Sequence, residues 1–151
     1  MNEFFKKMKK PTLKSRDNRD IEFPSSGPLY LQLKRSILGG LGVFALKDFK
    51  YNETIEISRK LLIPANQIVE KQVLYDYIHD EGNSWISLNL GYAELINHSS
   101  IPNAQVEGLA KDLSLVKAIK SIKTGEEILI DYGSQWFSGR GLVAKKYEKF
   151  F

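Results

Sequence analysis

Cysteine is absent from this 151-residue chain. Its absence excludes disulfides and any thiolate-held zinc or iron–sulfur centre. Histidine is scarce as well: with only His79 and His98, a metal site would have to be built from carboxylates, and no metal is expected. No apolar run approaches the roughly 20 residues a membrane-spanning helix needs. The N-terminus lacks the apolar stretch and small-residue cleavage site of a secretory leader. The expectation is therefore an intracellular protein, in cytoplasm or nucleus, with no membrane partner. A disordered composition is missing too, since 42% of residues are hydrophobic and 26% charged, the balance of a globular domain. The length suits one domain with a sizeable core.

What the chain does have is a lopsided charge. Residues 1–20 hold Lys6, Lys7, Lys9, Lys10, Lys14, Arg16 and Arg19 against Glu3, Asp17 and Asp20, an excess of four that equals the formal net charge of the whole chain, +4. Such an arm is either a solvated tail or a weak electrostatic contact to nucleic acid through residues 6–19. The cluster "FPSSGP" at 23–28 ends it. The division expected is a basic arm and linker at 1–28, a folded domain at 29–140, and a C-terminal tail or short amphipathic helix at 141–151.

Within the domain, "LYLQLK" alternates with Leu29, Leu31 and Leu33 on one face, as a half-buried strand does. "ILGGLGVFAL" reads as a glycine turn entering a strand at Val43. "ETIEIS" and "KLLI" read as two short strands. Helical spacing occurs once, over 65–78, where Val69, Val73, Leu74, Tyr77 and Ile78 fall three or four apart. "WISL", "AQVEG", "LSLVKAI" and "EILIDYG" are further strand candidates, and "GYAELI" a short turn or helix. Many short strands with frequent turns predict a mainly β domain with minor helix.

"INHSSIPN" at 96–103 packs Asn, His, Ser and Pro between apolar runs, which turn chemistry alone explains locally. Other motif readings fail. "GGLG" is too short for a dinucleotide fingerprint and is followed by no P-loop lysine. A triad of Ser99, His98 and Asp131 would need neighbouring turn residues to point at one another.

Three stretches in order, "SILGGLGVFALKDF", "INHSSIPNA" and "KTGEEILIDYG", resemble the motifs of the SET-domain family of protein lysine methyltransferases. Together they cover most of residues 36–140. The compactness, "YDYI" and "LGYAELINHS" look most like the short single-domain SET proteins of viruses and some bacteria; for a viral member the setting would be the host nucleus. The resemblance implies the β-clip SET fold of short sheets, with the second motif threaded beneath the closing segment in a pseudoknot-like crossing, so that its buried polar groups bond one another.

The resemblance also implies a site. Tyr132 matches the catalytic tyrosine; Asn97 and His98 would contact S-adenosylmethionine; Gly40, Leu41 and Gly42 would border it; Trp136 and Phe137 match an aromatic pair beside the adenine; Tyr77 and Ile130 would face the substrate lysine. Each has a rival reading. Tyr132 and Tyr77 could be core tyrosines, the aromatic pair could pack the C-terminal tail, and the glycines could serve only the turn. Independently, methyl transfer from a sulfonium to an amine is an in-line displacement that rewards alignment and exclusion of water. The amine must be neutral although free lysine titrates near 10.4, and aromatic burial favours the neutral form.

The chain departs from the family at two points. Glu94 stands where many members carry arginine, which implies a different local salt bridge, and Ile130 stands where Phe or Tyr is common, which leaves the number of methyls unreadable. The flanking cysteine-rich segments of nuclear members are missing, so the C-terminal tail or a second subunit, as a homodimer, would have to close the site. The activity expected is a protein-lysine N-methyltransferase, with histone tails as first substrate. The alternatives are a non-catalytic module that holds cofactor or a lysine peptide, and automethylation within Lys6 to Lys14.

Overall fold

The computed structural model describes residues 13–14, 20–21, 30–68 and 73–142. Most of the basic arm, and the tail expected to form a helix beyond Leu142, lie outside the described residues. Two short strands, β1 (Leu13–Lys14) and β2 (Asp20–Ile21), pair antiparallel. The hairpin of β3 (Leu31–Arg35) and β4 (Leu41–Ala45) follows. Its turn depends on glycine: Gly39 and Gly40 take φ of 109° and 65°, left-handed values that cost an L-residue with a Cβ dearly. The strand begins at Leu41, two residues before the expected Val43. Leu31 is buried, whereas Leu33 is exposed, so the alternation seen in the sequence buries one leucine of this strand rather than two.

Next come β5 (Thr54–Pro64), β6 (His79–Gly82), β7 (Trp85–Leu90), β8 (Asn97–His98), β9 (Ala104–Ala110), β10 (Leu113–Ala118), β11 (Leu129–Ile130) and a single α-helical turn, α1 (Ser134–Ser138). Five of them form one antiparallel sheet in the order β6-β7-β5-β10-β9. "ETIEIS" and "KLLI" are thus one strand, not two. The link "SRK" stays extended because Lys60, paired across to Asn89, turns its ammonium to Glu81 at 2.6 Å instead of to water. "AQVEG" lengthens to Ala110 and pairs with the strand of "LSLVKAI", which ends at Ala118, in a hairpin closed at Lys111 and Asp112.

Among the described residues of 65–78, where a helix was expected, stand two 3-10 turns, Ala65–Gln67 and Val73–Tyr77. The spacing misled because its apolar stripe has little core to cover: Val73, Leu74 and Tyr77 are exposed and Ile78 alone of the described set is buried. Most helical stability in proteins comes from burying such a stripe.

The main core joins the hairpin to the large sheet and the closing segment. Val43, Val116, Ile122 and Ile128 are fully buried there, beside Leu31, Ile55, Ile96 and Ile130; each contributes about 1.5–3 kcal/mol by leaving water. A second buried group is polar. Glu56, Ser58 and Lys60 on β5, Ser87 and Asn89 on β7 and Ser114 on β10 are all buried, and the partners Lys60 and Asn89, like Ser58 and Ser114, share a face.

Candidate active site

The second motif reaches the closing segment by a parallel pairing of β8 with β11, Asn97 opposite Leu129 and His98 opposite Ile130. Parallel neighbours so short survive only with side-chain support, and Asn103 supplies it. Its Nδ2 donates to Glu127 O and its Oδ1 accepts from Leu129 N, both at 2.8 Å, while Ser99 N donates to Ile130 O at 2.9 Å. The polar run that looked like an ordinary turn is a set of ladder substitutes for backbone that has no regular partner.

Glu127 ties this crossing to the glycine turn. Its carboxylate accepts from Asn97 Nδ2 and from Ser36 Oγ, each at 2.8 Å. Asn97 Nδ2 also donates to Leu41 O at 3.0 Å, so both amide hydrogens are spent and only its Oδ1 is left to offer a ligand. Gly42 makes the approach possible: a Cβ there would overlap the Glu127 carboxylate, with Cδ at 2.8 Å, and press on Asn97 Nδ2 at 3.0 Å.

Tyr132 follows β11 directly. Its hydroxyl donates to Ile96 O at 2.7 Å and its N–H donates to His98 Nδ1 at 3.2 Å. Asp131 Oδ1 lies 3.5 Å from the same Nδ1; the shorter contact decides that Nδ1 is an acceptor, because one nitrogen cannot serve both ways. Ser99 Oγ is turned to Ile101 N at 3.0 Å, stapling its own turn. Burial, then the charges of Glu94 and Tyr77, push the Tyr132 phenol up to about 12, so it stays a neutral donor through the physiological range. Gly133, at φ 79°, bends the chain into α1. That turn stacks rings together: Trp136 lies 4.7 Å from Tyr132, Phe137 4.7 Å from His98, and the pair 5.0 Å from each other.

Three cavities open on this cluster; the largest, about 590 Å³, lies toward Tyr75, Trp85 and Arg140, and the other two share more of their walls. One, of about 420 Å³, is walled by Leu41, Asn97, His98, Trp136 and Phe137 among others. The other, of about 460 Å³, lies over the buried polar face and is walled by Lys60, Glu81, Asn89 and Ile130 among others. Tyr132, Tyr77, Trp136, Glu94 and Asp76 line both, so the two meet at one shared wall. Gly40 and Gly42 are not in either wall; Gly40 shapes the turn and Gly42 admits the Glu127 network. Tyr77 is 41% exposed, which rules out the core reading.

Several residues escaped the sequence reading. His79 Nε2 lies 3.0 Å from Glu94 Oε1, and Glu94 Oε2 accepts from Asn89 N at 2.6 Å; a local salt bridge was what Glu94 in an arginine position implied, and the contact is one only when His79 is protonated. Glu127 lay inside a quoted motif, but nothing local marked its carboxylate as the anchor of two loops. Glu56, which caps Tyr92 N and Ala93 N at 2.9 and 2.7 Å, gave no signal except its place in an alternating strand.

A model of the SET domain matches residues 40–133, well over half of the chain. The chain belongs to the SET-domain family. Among solved structures, this SET domain is similar to a Plasmodium falciparum protein provisionally described as a histone methyltransferase, with 38% identity, a TM-score of 0.61, and coverage of 72% of this chain and 97% of that one. It also resembles part of the Chaetomium thermophilum Polycomb Repressive Complex 2. A humanized mutant bound to the inhibitor GSK126 gives 24% identity and a TM-score of 0.59 over 68% of this chain and 15% of that one. A second structure of the complex gives 23% and 0.59 over 69% and 15%. Those two likenesses speak for the fold alone. None of the three comes from a virus or a bacterium, so the likeness to compact members from those sources remains one of length and local motif.

Proposed function

We propose that this SET domain transfers a methyl group from S-adenosylmethionine to the ε-amine of a protein lysine, with a histone tail as the first substrate to test. The observation that carries the reading is the shared wall: two cavities, different in chemistry, that meet at the Tyr132 ring. A transfer between two bound partners needs such a meeting point, where the acceptor can be aligned with the donor and water kept out.

The residues present fit the cofactor. A volume of about 420 Å³ falls within the usual range for small-molecule sites, roughly 300–1,000 Å³. Rings on one side suit adenine and a sulfonium, through stacking and cation–π attraction. Asn97 Oδ1, its amide hydrogens already engaged, offers an acceptor to an α-ammonium. When bound, the cofactor would supply an electrophilic methyl on a positively charged sulfur. Tyr132 would hold its hydroxyl at the shared wall, fixed by Ile96 O, while Tyr77 and Trp136 would flank the lysine stem and Ile130 would floor the far side.

The test is transfer of labelled methyl from S-adenosylmethionine to core histones by the parent and by Tyr132→Phe, with cofactor binding followed by calorimetry. The expected result is label on a histone that falls about 100-fold or more in the variant while cofactor binding persists. Cofactor binding without transfer by the parent to histones, to a lysine-rich peptide mixture or to its own arm would instead favour a binding module.

A further inference from the structure

Methyl transfer to lysine needs a free amine lone pair, and near pH 7.5 only about one lysine in a thousand has one, given a free value near 10.4. Some group must take the proton. Tyr132 is unsuited: burial and neighbouring negative charge hold its phenol protonated up to about 12, and its hydrogen is committed to Ile96 O. Two carboxylates line both cavities, Asp76 and Glu94. Asp76 is 64% exposed at its side chain and paired with Arg140. Glu94 is different. Its side chain is 10% exposed, one oxygen accepts from Asn89 N and the other lies 3.0 Å from His79 Nε2, and the His79 ring, at 36% exposure, leads from the site to water.

We propose that Glu94 is the catalytic residue that deprotonates the substrate lysine and that His79 passes the proton to solvent. This rests on the methyltransferase reading above. An ammonium N–H bond breaks with its electrons left on nitrogen, and the proton moves to the Glu94 carboxylate. Glu94 then hands a proton from Oε1 to His79 Nε2, in the tautomer that carries its hydrogen on Nδ1, and the imidazolium loses a proton to water. Glu94 is a carboxylate again and the amine is neutral.

The surrounding charges draw the lysine in as its ammonium, so a base at the wall must then take the proton. On β5 and β6, Lys60 is ion-paired with Glu81 at 2.6 Å, and Asp80 adds a further negative charge to the wall. On the preceding turn, Asp76 balances Arg140 and Tyr77 stands beside them. After β11, Asp131 lies near His98 and Tyr132 is neutral. Lys60 and Arg140, the cations beside these walls, are thus occupied, and an incoming ammonium meets a negative field that binds it until Glu94 accepts its proton. Because many members carry arginine at the Glu94 position, the device would be a property of this chain rather than of the fold.

The experiment measures methyl transfer to core histones from about pH 7 to about pH 10 for the parent, Glu94→Gln, Glu94→Asp and His79→Asn, with S-adenosylmethionine binding by calorimetry on each. Glu94→Gln keeps the shape and an acceptor for Asn89 N. It should lose about 100-fold near neutral pH, and the loss should shrink steadily toward pH 10 as free lysine supplies its own neutral amine. Glu94→Asp should recover part of the neutral-pH rate, His79→Asn should show the same pH trend with a smaller loss, and cofactor binding should be equal in all four. A loss that is the same at every pH, or no loss, overturns the proposal and leaves the methyltransferase reading standing. A parent that neither binds the cofactor nor transfers methyl overturns both.

Discussion

The two cavities share a wall but are built in opposite ways. The one beside the glycine turn is enclosed by rings and backbone, with Trp136, Phe137, His98 and Leu41 around it. The one over the large sheet rests on buried charge and amide, with Lys60, Glu81, Ser87, Asn89 and Ser114 beneath it. The first resembles a site for a flat, apolar-faced ligand; the second resembles a site for a cation. The difference teaches where each half draws its precision. Rings hold one another by contact and tolerate small errors, whereas a buried charge is stable only with its partner in place.

That contrast can be broken from the polar side with the largest effect. Glu81→Ala leaves Lys60, 3% exposed at its side chain, as a buried cation without this carboxylate. Stability in denaturant should fall by about 3–5 kcal/mol. Replacing Lys60 by Met, which removes the charge itself, should cost less. Equal losses would mean the pair contributes packing rather than charge compensation.

Alkaline titration sharpens the shared wall. The Tyr132 phenol is raised from 10.0 to about 12 in the fold, so its contribution is fully present below the unfolded value and is lost as pH rises from about 10 through about 12. The parent should therefore lose about 2–3 kcal/mol more than Tyr132→Phe over that window. Parallel stability curves for the two proteins would contradict the buried, hydrogen-bonded hydroxyl.

On the aromatic side the effects are smaller. Gly42→Ala must push the Glu127 carboxylate off Asn97, at a cost of about 1–3 kcal/mol, with cofactor affinity falling as the turn moves away. Unchanged melting would show that the network yields freely. Trp136→Ala removes the ring contacts to Tyr132 and Phe137, worth about 0.5–1.5 kcal/mol each beyond buried area. It should weaken S-adenosylmethionine binding by calorimetry while leaving the Lys60–Glu81 pair, and hence most of the stability, in place.

Much of this was legible before the fold was known. The motifs placed Tyr132, Asn97 and His98 in one candidate site, the resemblance added Trp136 and Phe137 just beyond the last motif, and all five line one cavity. Their separations along the chain are large, but motif order carries the topology. What stayed hidden was the polar half. Lys60 read as the start of a separate short strand, Ser87 as part of another, Asn89 drew no reading, and Glu94 stood as a departure whose partner had no name. Alternation announces which residues share a face; it does not announce that the second face is also covered.

The sequence by itself determined the family and the mainly β character, and named the residues that line the aromatic cavity, because short-range patterns encode strands and turns, and the motifs carry the rest. The tertiary structure alone decided that Ala65–Gln67 and Val73–Tyr77 form short turns, that Glu127 joins the glycine turn to Asn97, and that His79 meets Glu94 at the wall between the cavities. Those outcomes depend on which long-range neighbours remove water from a group and which partner then satisfies it, and no local pattern along the chain records that.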